Sequence, residues 1–144
     1  MRHGDAVSAA ENPQRPLSLG GRQRVEKTAR LAADRKVQVS RIYHSRILRA
    51  QETAEILARH IMPGAGIAPL SGLLPDDDPT ALRAEFDGIT DSILLVGHLP
   101  FLSRLAGLLV NGDTERAVVD FFPATMVYCS KSAGRWKMNW RITP

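Results

Sequence analysis

Three places in the sequence carry side chains that could grip and attack a phosphoryl group. Arg2, His3 and Gly4 stand together at the start. A neutral imidazole nitrogen is a nucleophile, and a neighbouring guanidinium favours an anionic reactant. Ser45 and Arg49 lie four residues apart at a predicted strand-to-helix junction, where free backbone N–H groups and the helix dipole favour an anion. His98 follows the apolar run Ser92 to Val96 and Gly97, and precedes a helix opened by Pro100. That setting predicts a position at the carboxyl end of a strand, where open α/β sheets keep their ligand sites. Arg-His-Gly alone is a weak signal, because three-residue strings recur by chance; its meaning depends on whether one sheet edge gathers all three places around one phosphate.

The elements that would position them follow from periodicity. Val25, Ala29 and Ala32 repeat at helical spacing between Gly21 and Lys36. Val37 to His44 alternates as a strand does. Ile47, Ala50, Ala54, Leu57 and Ile61 recur every three or four residues, a helix that ends before Pro63 and takes Ser45 as its expected N-cap. Pro79 stands at the mouth of a short helix over Thr80 to Phe86. Ser92 to Val96 reads as a strand covered on both faces. Phe101, Leu102, Leu105, Leu108 and Leu109 make one helical stripe, and two or three strands follow Ala117, including Thr125 to Ser130 and Trp136 to Ile142. Alternating strands and helices make this an α/β chain. No repeat, low-complexity run or linker divides it, so one domain over residues 1–144 is the expectation.

Composition narrows the partners. At 44% hydrophobic the chain can bury a core, and no stretch is long and apolar enough to cross a membrane. A single cysteine and no leader-like start predict a cytoplasmic protein with no membrane partner. The formal charge is +4, and the surplus lies in residues 1–72, which hold 12 Lys/Arg against 6 Asp/Glu. Such a surplus suits a phosphorylated partner or nucleic acid, but 6% aromatic content and no matching motif disfavour nucleic acid. His44 and His60 lack metal-ligand spacing and are expected to be structural or solvated. Cys129 is expected to be a small buried hydrophobe, and Trp136 and Trp140 to share one strand face as packing. Arg46 reads as a surface residue, and Arg15 either contacts substrate or answers Glu11 in a loop.

Four ordered blocks then carry a resemblance: Arg2-His3-Gly4-Asp5-Ala6; Arg15-Pro16-Leu17-Ser18 with Gly21; Ser45 through Leu48-Arg49-Ala50 to Thr53; and Gly97-His98-Leu99-Pro100. Over most of its length the chain resembles the histidine phosphatase superfamily, in detail its small SixA-type phosphohistidine phosphatases. The resemblance implies a phosphoglycerate-mutase-like fold, a three-layer α/β/α sandwich around a mostly parallel mixed sheet. It implies His3 as nucleophile, Arg2 and Arg49 as phosphate clamps, His98 as second pocket histidine, and Gly4, Arg15 and Ser45 as further phosphate or substrate contacts. The implied reaction is metal-independent phosphohydrolysis through a phosphohistidine, with no cofactor.

The implied substrate is a phosphorylated histidine phosphotransfer protein, whose imidazole leaves as a weak base of pKa ~6.5. The alternatives are a small phosphorylated metabolite, or a weakly active or non-enzymatic phosphate-binding domain. Two departures from the family pattern matter. Larger relatives keep a proton-donating Glu in the stretch matching Leu70-Ser71-Gly72-Leu73; this chain has none there, and Asp76, Asp77 and Asp78 are candidate donors or simply a solvated loop. Relatives also carry an apolar strand into Arg-His-Gly, whereas this sequence begins at Met1, so a missing or truncated first strand is expected.

Overall fold

Small side chains at every third or fourth position let two helices lie close together and carry the site's support. The computed structural model describes residues Met1–Pro144. In α1 (Leu19–Asp34) the Ser18 hydroxyl caps the amino end by accepting from the Gly21 N–H, and Val25, Thr28, Ala29 and Ala32 are buried. They face α2 (Leu48–Ile61), whose Ala50, Ala54, Leu57 and Ile61 form the opposing stripe. The remaining elements are β1 (Arg41–His44), β2 (Ile67–Pro69), α3 (Pro79–Phe86), β3 (Ile93–Val96), α4 (Phe101–Asn111), β4 (Met126–Ser132) and β5 (Arg135–Ile142).

The strands β2-β1-β3 form a parallel sheet, and β4-β5 an antiparallel pair. Alternation along the strands separates two cores. Ile42, Leu94, Val96, Met126 and Ile142 join the layer of α1 and α2. Tyr43, Ile93, Leu95, Val127 and Trp136 pack instead against Phe86, Phe101, Leu102 and Leu105 of α3 and α4. Both faces of the sheet are therefore covered, which is the expected α/β/α layering.

Several expected boundaries shift. The strand read over Val37 to His44 is only Arg41–His44, because the Val37 N–H is bonded back to the Ala32 carbonyl at the end of α1 and the ladder begins at Ser40, which donates to Ser92. The short β2 was not foreseen; three residues ending in Pro69 carry too little pattern. Ser45 is not the N-cap of α2: Ile47 occupies that position without a side-chain cap. Cys129 lines a groove half-exposed rather than lying in the core.

Residues Met1 to His3 form a short extended stub with an isolated parallel bridge from Arg2 to Gly97. Met1 to His3 sit between the two sheets: His3 N–H donates to the Gly97 carbonyl at 3.1 Å, and Gly97 N–H to the Met1 carbonyl at 3.1 Å. On the other side Arg2 N–H reaches the Thr125 carbonyl at 3.0 Å, and Ala124 N–H reaches the His3 carbonyl at 3.1 Å. These four bonds hold His3 beside the carboxyl ends of β1 and β3.

Candidate active site

Each functional side chain is delivered by a different element to one sheet edge. His3 comes from the stub, Ser45 from the end of β1, Arg49 from the first turn of α2, and His98 from the residue after Gly97 at the end of β3. The His3 and His98 rings lie 4.8 Å apart between centroids. His3 Nδ1 is 2.6 Å from the Gly4 carbonyl. A carbonyl only accepts, so this contact places the proton on Nδ1 and leaves Nε2 unprotonated, an acceptor. Arg49 Nε donates to that nitrogen at 3.2 Å.

Burial and neighbouring cations keep both rings neutral. Burial first, then Arg49, Arg2 and Arg15, lower the His3 pKa to about 4, against the opposing pull of the Gly4 carbonyl. Burial, with His3, Arg49 and Arg2, lowers His98 to about 3. His98 is only 1% exposed, and its Nε2 stands 2.6 Å from the Ser45 hydroxyl. A hydroxyl donating to Nε2 leaves the His98 proton on Nδ1. His98 Nδ1 and Arg2 Nε are both buried without a protein partner. Sequestered donors of this kind cost roughly 1–3 kcal/mol each unless an acceptor meets them, and an oxyanion at this edge is the acceptor that fits their chemistry.

The supporting residues explain why the edge holds its shape. Arg2 Nη1 is anchored on the Phe121 carbonyl at 2.8 Å, which orients the guanidinium. The buried Thr53 hydroxyl donates to the Arg49 carbonyl at 2.7 Å and accepts the Gly4 N–H at 3.2 Å, joining α2 to the stub. Glu52 accepts the Leu17 N–H at 2.6 Å and pairs with Arg22, tying the Arg15 loop to α2. Glu52 and the Phe121 carbonyl escaped the sequence reading. Glu52 sits three residues after Arg49 on the same helix, a spacing that could have flagged it; a backbone carbonyl has no such signal.

The glycines serve packing. A Cβ on Gly4 would stand 2.6 Å from Val25 Cγ2, and one on Gly21 would stand 2.0 Å from the Asp5 carbonyl oxygen. The close approach that Gly4 permits is therefore to α1. Arg15 is exposed, adopts a left-handed backbone (φ 48°) and donates from Nε to the Val7 carbonyl. Its charge nevertheless reaches His3 and Arg49.

Asp76, Asp77 and Asp78 make no bond to His3 or His98. Asp77 accepts from the Leu74 N–H at 2.7 Å, and Asp78 caps α3 through Thr80. His44 is buried with its Nδ1 on the Ser45 carbonyl, and His60 pairs with Glu26.

Comparison with known proteins speaks to the family and the fold. The model of the histidine phosphatase superfamily (branch 1) matches residues 1–69. An uncharacterized protein of Picosynechococcus is 32% identical over 121 residues, covering 79% of this chain and 73% of that protein. The phosphohistidine phosphatase SixA of Escherichia coli is 28% identical over 149 residues, covering 100% of this chain and 91% of the relative. The chain belongs to the histidine phosphatase superfamily. The solved structure of the protein histidine phosphatase SixA complexed with tungstate overlays it with a TM-score of 0.86 at 27% identity, covering 99% of this chain and 94% of that one. This histidine phosphatase therefore shares the phosphoglycerate-mutase-like architecture of SixA structures across its whole length. It contains no helix long and apolar enough to cross a membrane.

Proposed function

We propose that the chain is a phosphohistidine phosphatase acting on phosphorylated proteins, with His3 as the nucleophile. The observation that carries this reading is the His3 tautomer: Nδ1–H is tied to Gly4, and the unprotonated Nε2 faces Arg49 among unpartnered donors. In the first step Nε2 attacks phosphorus in line, the new N–P bond forms, and the bond to the substrate's leaving nitrogen breaks with its electron pair. The other nitrogen of the substrate ring takes one proton from solvent, so the leaving group departs as neutral imidazole. Water then attacks phosphorus, the N–P electron pair returns to Nε2, and phosphate leaves with the water's oxygen and one of its protons, the other returning to solvent in place of the one taken up.

Arg2, Arg49 and the His98 Nδ1–H supply the charge that the equatorial oxygens need in a loose transition state. Two fixed guanidiniums at that centre make a metal unnecessary, so activity is expected to persist in EDTA. A weakly basic leaving group also lessens the need for a general acid. This agrees with Asp77 and Asp78 being engaged in their own loop. Exposed Arg15 and Arg46 at the rim suit a protein surface as substrate, and the similarity to SixA, a phosphohistidine phosphatase, supports the same reading.

The test is phosphate release from a phosphorylated histidine phosphotransfer domain beside small phosphoesters. Faster turnover of the phosphoprotein, lost in His3→Ala, is expected. Preference for a small phosphoester would transfer the reading to metabolites, and release from neither would leave a phosphate-binding domain.

A further inference from the structure

Between Asp5 and Ser18 the chain makes one excursion that presents Arg15 and returns beside its own start. Backbone bonds close the neck: Ser18 N–H donates to the Asp5 carbonyl at 2.9 Å, Val7 N–H to the Pro16 carbonyl at 3.0 Å, and Ala6 faces Leu17 in an isolated antiparallel bridge. Inside the excursion Arg15 N–H donates to the Asn12 carbonyl at 2.9 Å, and its left-handed backbone turns the chain back toward the neck. Arg15 spends Nε on the Val7 carbonyl at 3.2 Å and forms no ion pair, with Glu11 or any other acid, so its terminal nitrogens stay open to an anion.

Two successive residues of α2 hold the two limbs of this excursion. Thr53 Oγ1 accepts the Gly4 N–H where the chain leaves, and Glu52 Oε2 accepts the Leu17 N–H where it returns. Leu17 is buried, so water is a poor substitute for that acceptor. The other Glu52 oxygen pairs with Arg22 of α1, and the Glu52 side chain is only 14% exposed. Its carboxylate is therefore fixed at both oxygens, by charge-assisted bonds of the stronger kind. One helix thus carries Arg49 and, a turn later, the group that fixes the segment bearing Arg15.

We infer that Glu52 is a positioning residue for substrate: through Leu17 it sets where Arg15 stands relative to Arg49, and so sets the affinity for the phosphoryl group without touching it. This role rests on the site being that of a phosphatase. His3 is held independently, by its bonds to Gly97 and Ala124 and by Thr53 on Gly4, so loss of Glu52 leaves the attacking nitrogen in place. The consequence belongs to binding, which raises KM and spares kcat. Glu52→Gln keeps a carbonyl oxygen for the Leu17 N–H and gives up only the charge on Arg22, whereas Glu52→Ala leaves the Leu17 N–H without an acceptor.

The experiment measures kcat and KM on a phosphorylated histidine phosphotransfer domain, the Kd of inorganic phosphate by calorimetry, and amide exchange at Leu17. The parent is compared with Glu52→Ala, Glu52→Gln, Arg15→Ala and the double variant. Glu52→Ala is expected to raise KM and the phosphate Kd about tenfold, to keep kcat within about twofold, and to speed exchange at Leu17. Glu52→Gln is expected to restore both constants to within about twofold of the parent. In the Arg15→Ala background Glu52→Ala is expected to change neither constant further. Where Glu52→Ala does not fold, Glu52→Asp, with its reach shortened by one methylene, is expected to raise both constants about threefold and to lose that effect in Arg15→Ala. Equal losses in both backgrounds would overturn the inference, because Glu52 would then act on the fold and not through Arg15. Parent-like phosphate binding in Glu52→Ala or in Arg15→Ala would overturn it too, as would a kcat that falls as far as KM rises. Phosphate binding and Leu17 exchange need no turnover, so a parent that releases no phosphate would overturn the phosphatase reading and still leave the coupling of Glu52 to Arg15 measured.

Discussion

At His3 the protonation pattern follows from which groups can only accept. The Gly4 carbonyl takes the His3 Nδ1 proton, while the Ser45 hydroxyl, 2.6 Å from His98 Nε2, can donate to that nitrogen and so hold the His98 proton on Nδ1. Ser45 thus acts as a positioning residue. Ser45→Ala is expected to let His98 change tautomer, visible as exchanged ¹⁵N shifts of its two ring nitrogens, and to lower kcat about tenfold or more with less effect on KM; unchanged shifts would contradict the assignment.

Both histidines have folded pKa values below the unfolded value of ~6.5, at about 4 for His3 and about 3 for His98. Between these limits the unfolded state binds more protons than the folded one, so stability rises with pH through that window and falls as pH drops from about 6.5 toward 3. His98→Asn is expected to flatten that slope, as denaturant melts between pH 4 and 7 would show. His3 stays neutral above pH about 4, so, with His3 as the proposed nucleophile, loss of activity between pH 5 and 7 would have to arise elsewhere.

Among the elements, α1 packs directly against the segment that follows the stub. The Asp5 carbonyl lies where a Gly21 side chain would begin, so Gly21→Ala must push the Gly4–Asp5 segment away from α1. A loss of about 2 kcal/mol is expected by overpacking, measured by denaturant unfolding, with kcat reduced because His3 moves with Gly4. Stability equal to the parent would mean the contact is soft. The sequence made the helices legible through Val25, Ala29 and Ala32 and through Ala50, Ala54 and Leu57, since these stripes are long. Ser45 was misassigned as an N-cap because a serine before a helix usually caps it; a histidine 53 residues away claims its hydroxyl, and no local pattern reports that. Val37 and Val39 alternate like a strand but border the groove rather than joining the ladder.

For the molecule as a whole, charge carries the expectation. Residues 1–72 carry the basic surplus, including exposed Arg15, whose charge acts on His3, so kcat/KM on an acidic phosphoprotein should fall several-fold between 50 and 500 mM salt while kcat holds. A flat salt profile would remove the basic rim as a guide to substrate. The α/β/α layering was legible because apolar strands and striped helices alternate along the chain.

The most direct test of the central claim is to trap the enzyme during turnover. The chain would be mixed with a phosphorylated histidine phosphotransfer domain and quenched in alkali, which preserves phosphohistidine, and the phosphate located by mass spectrometry. The account predicts phosphate on His3, on its Nε2, with no trapped species and no released phosphate from His3→Ala. Phosphate on another residue, or release undiminished in His3→Ala, would contradict it.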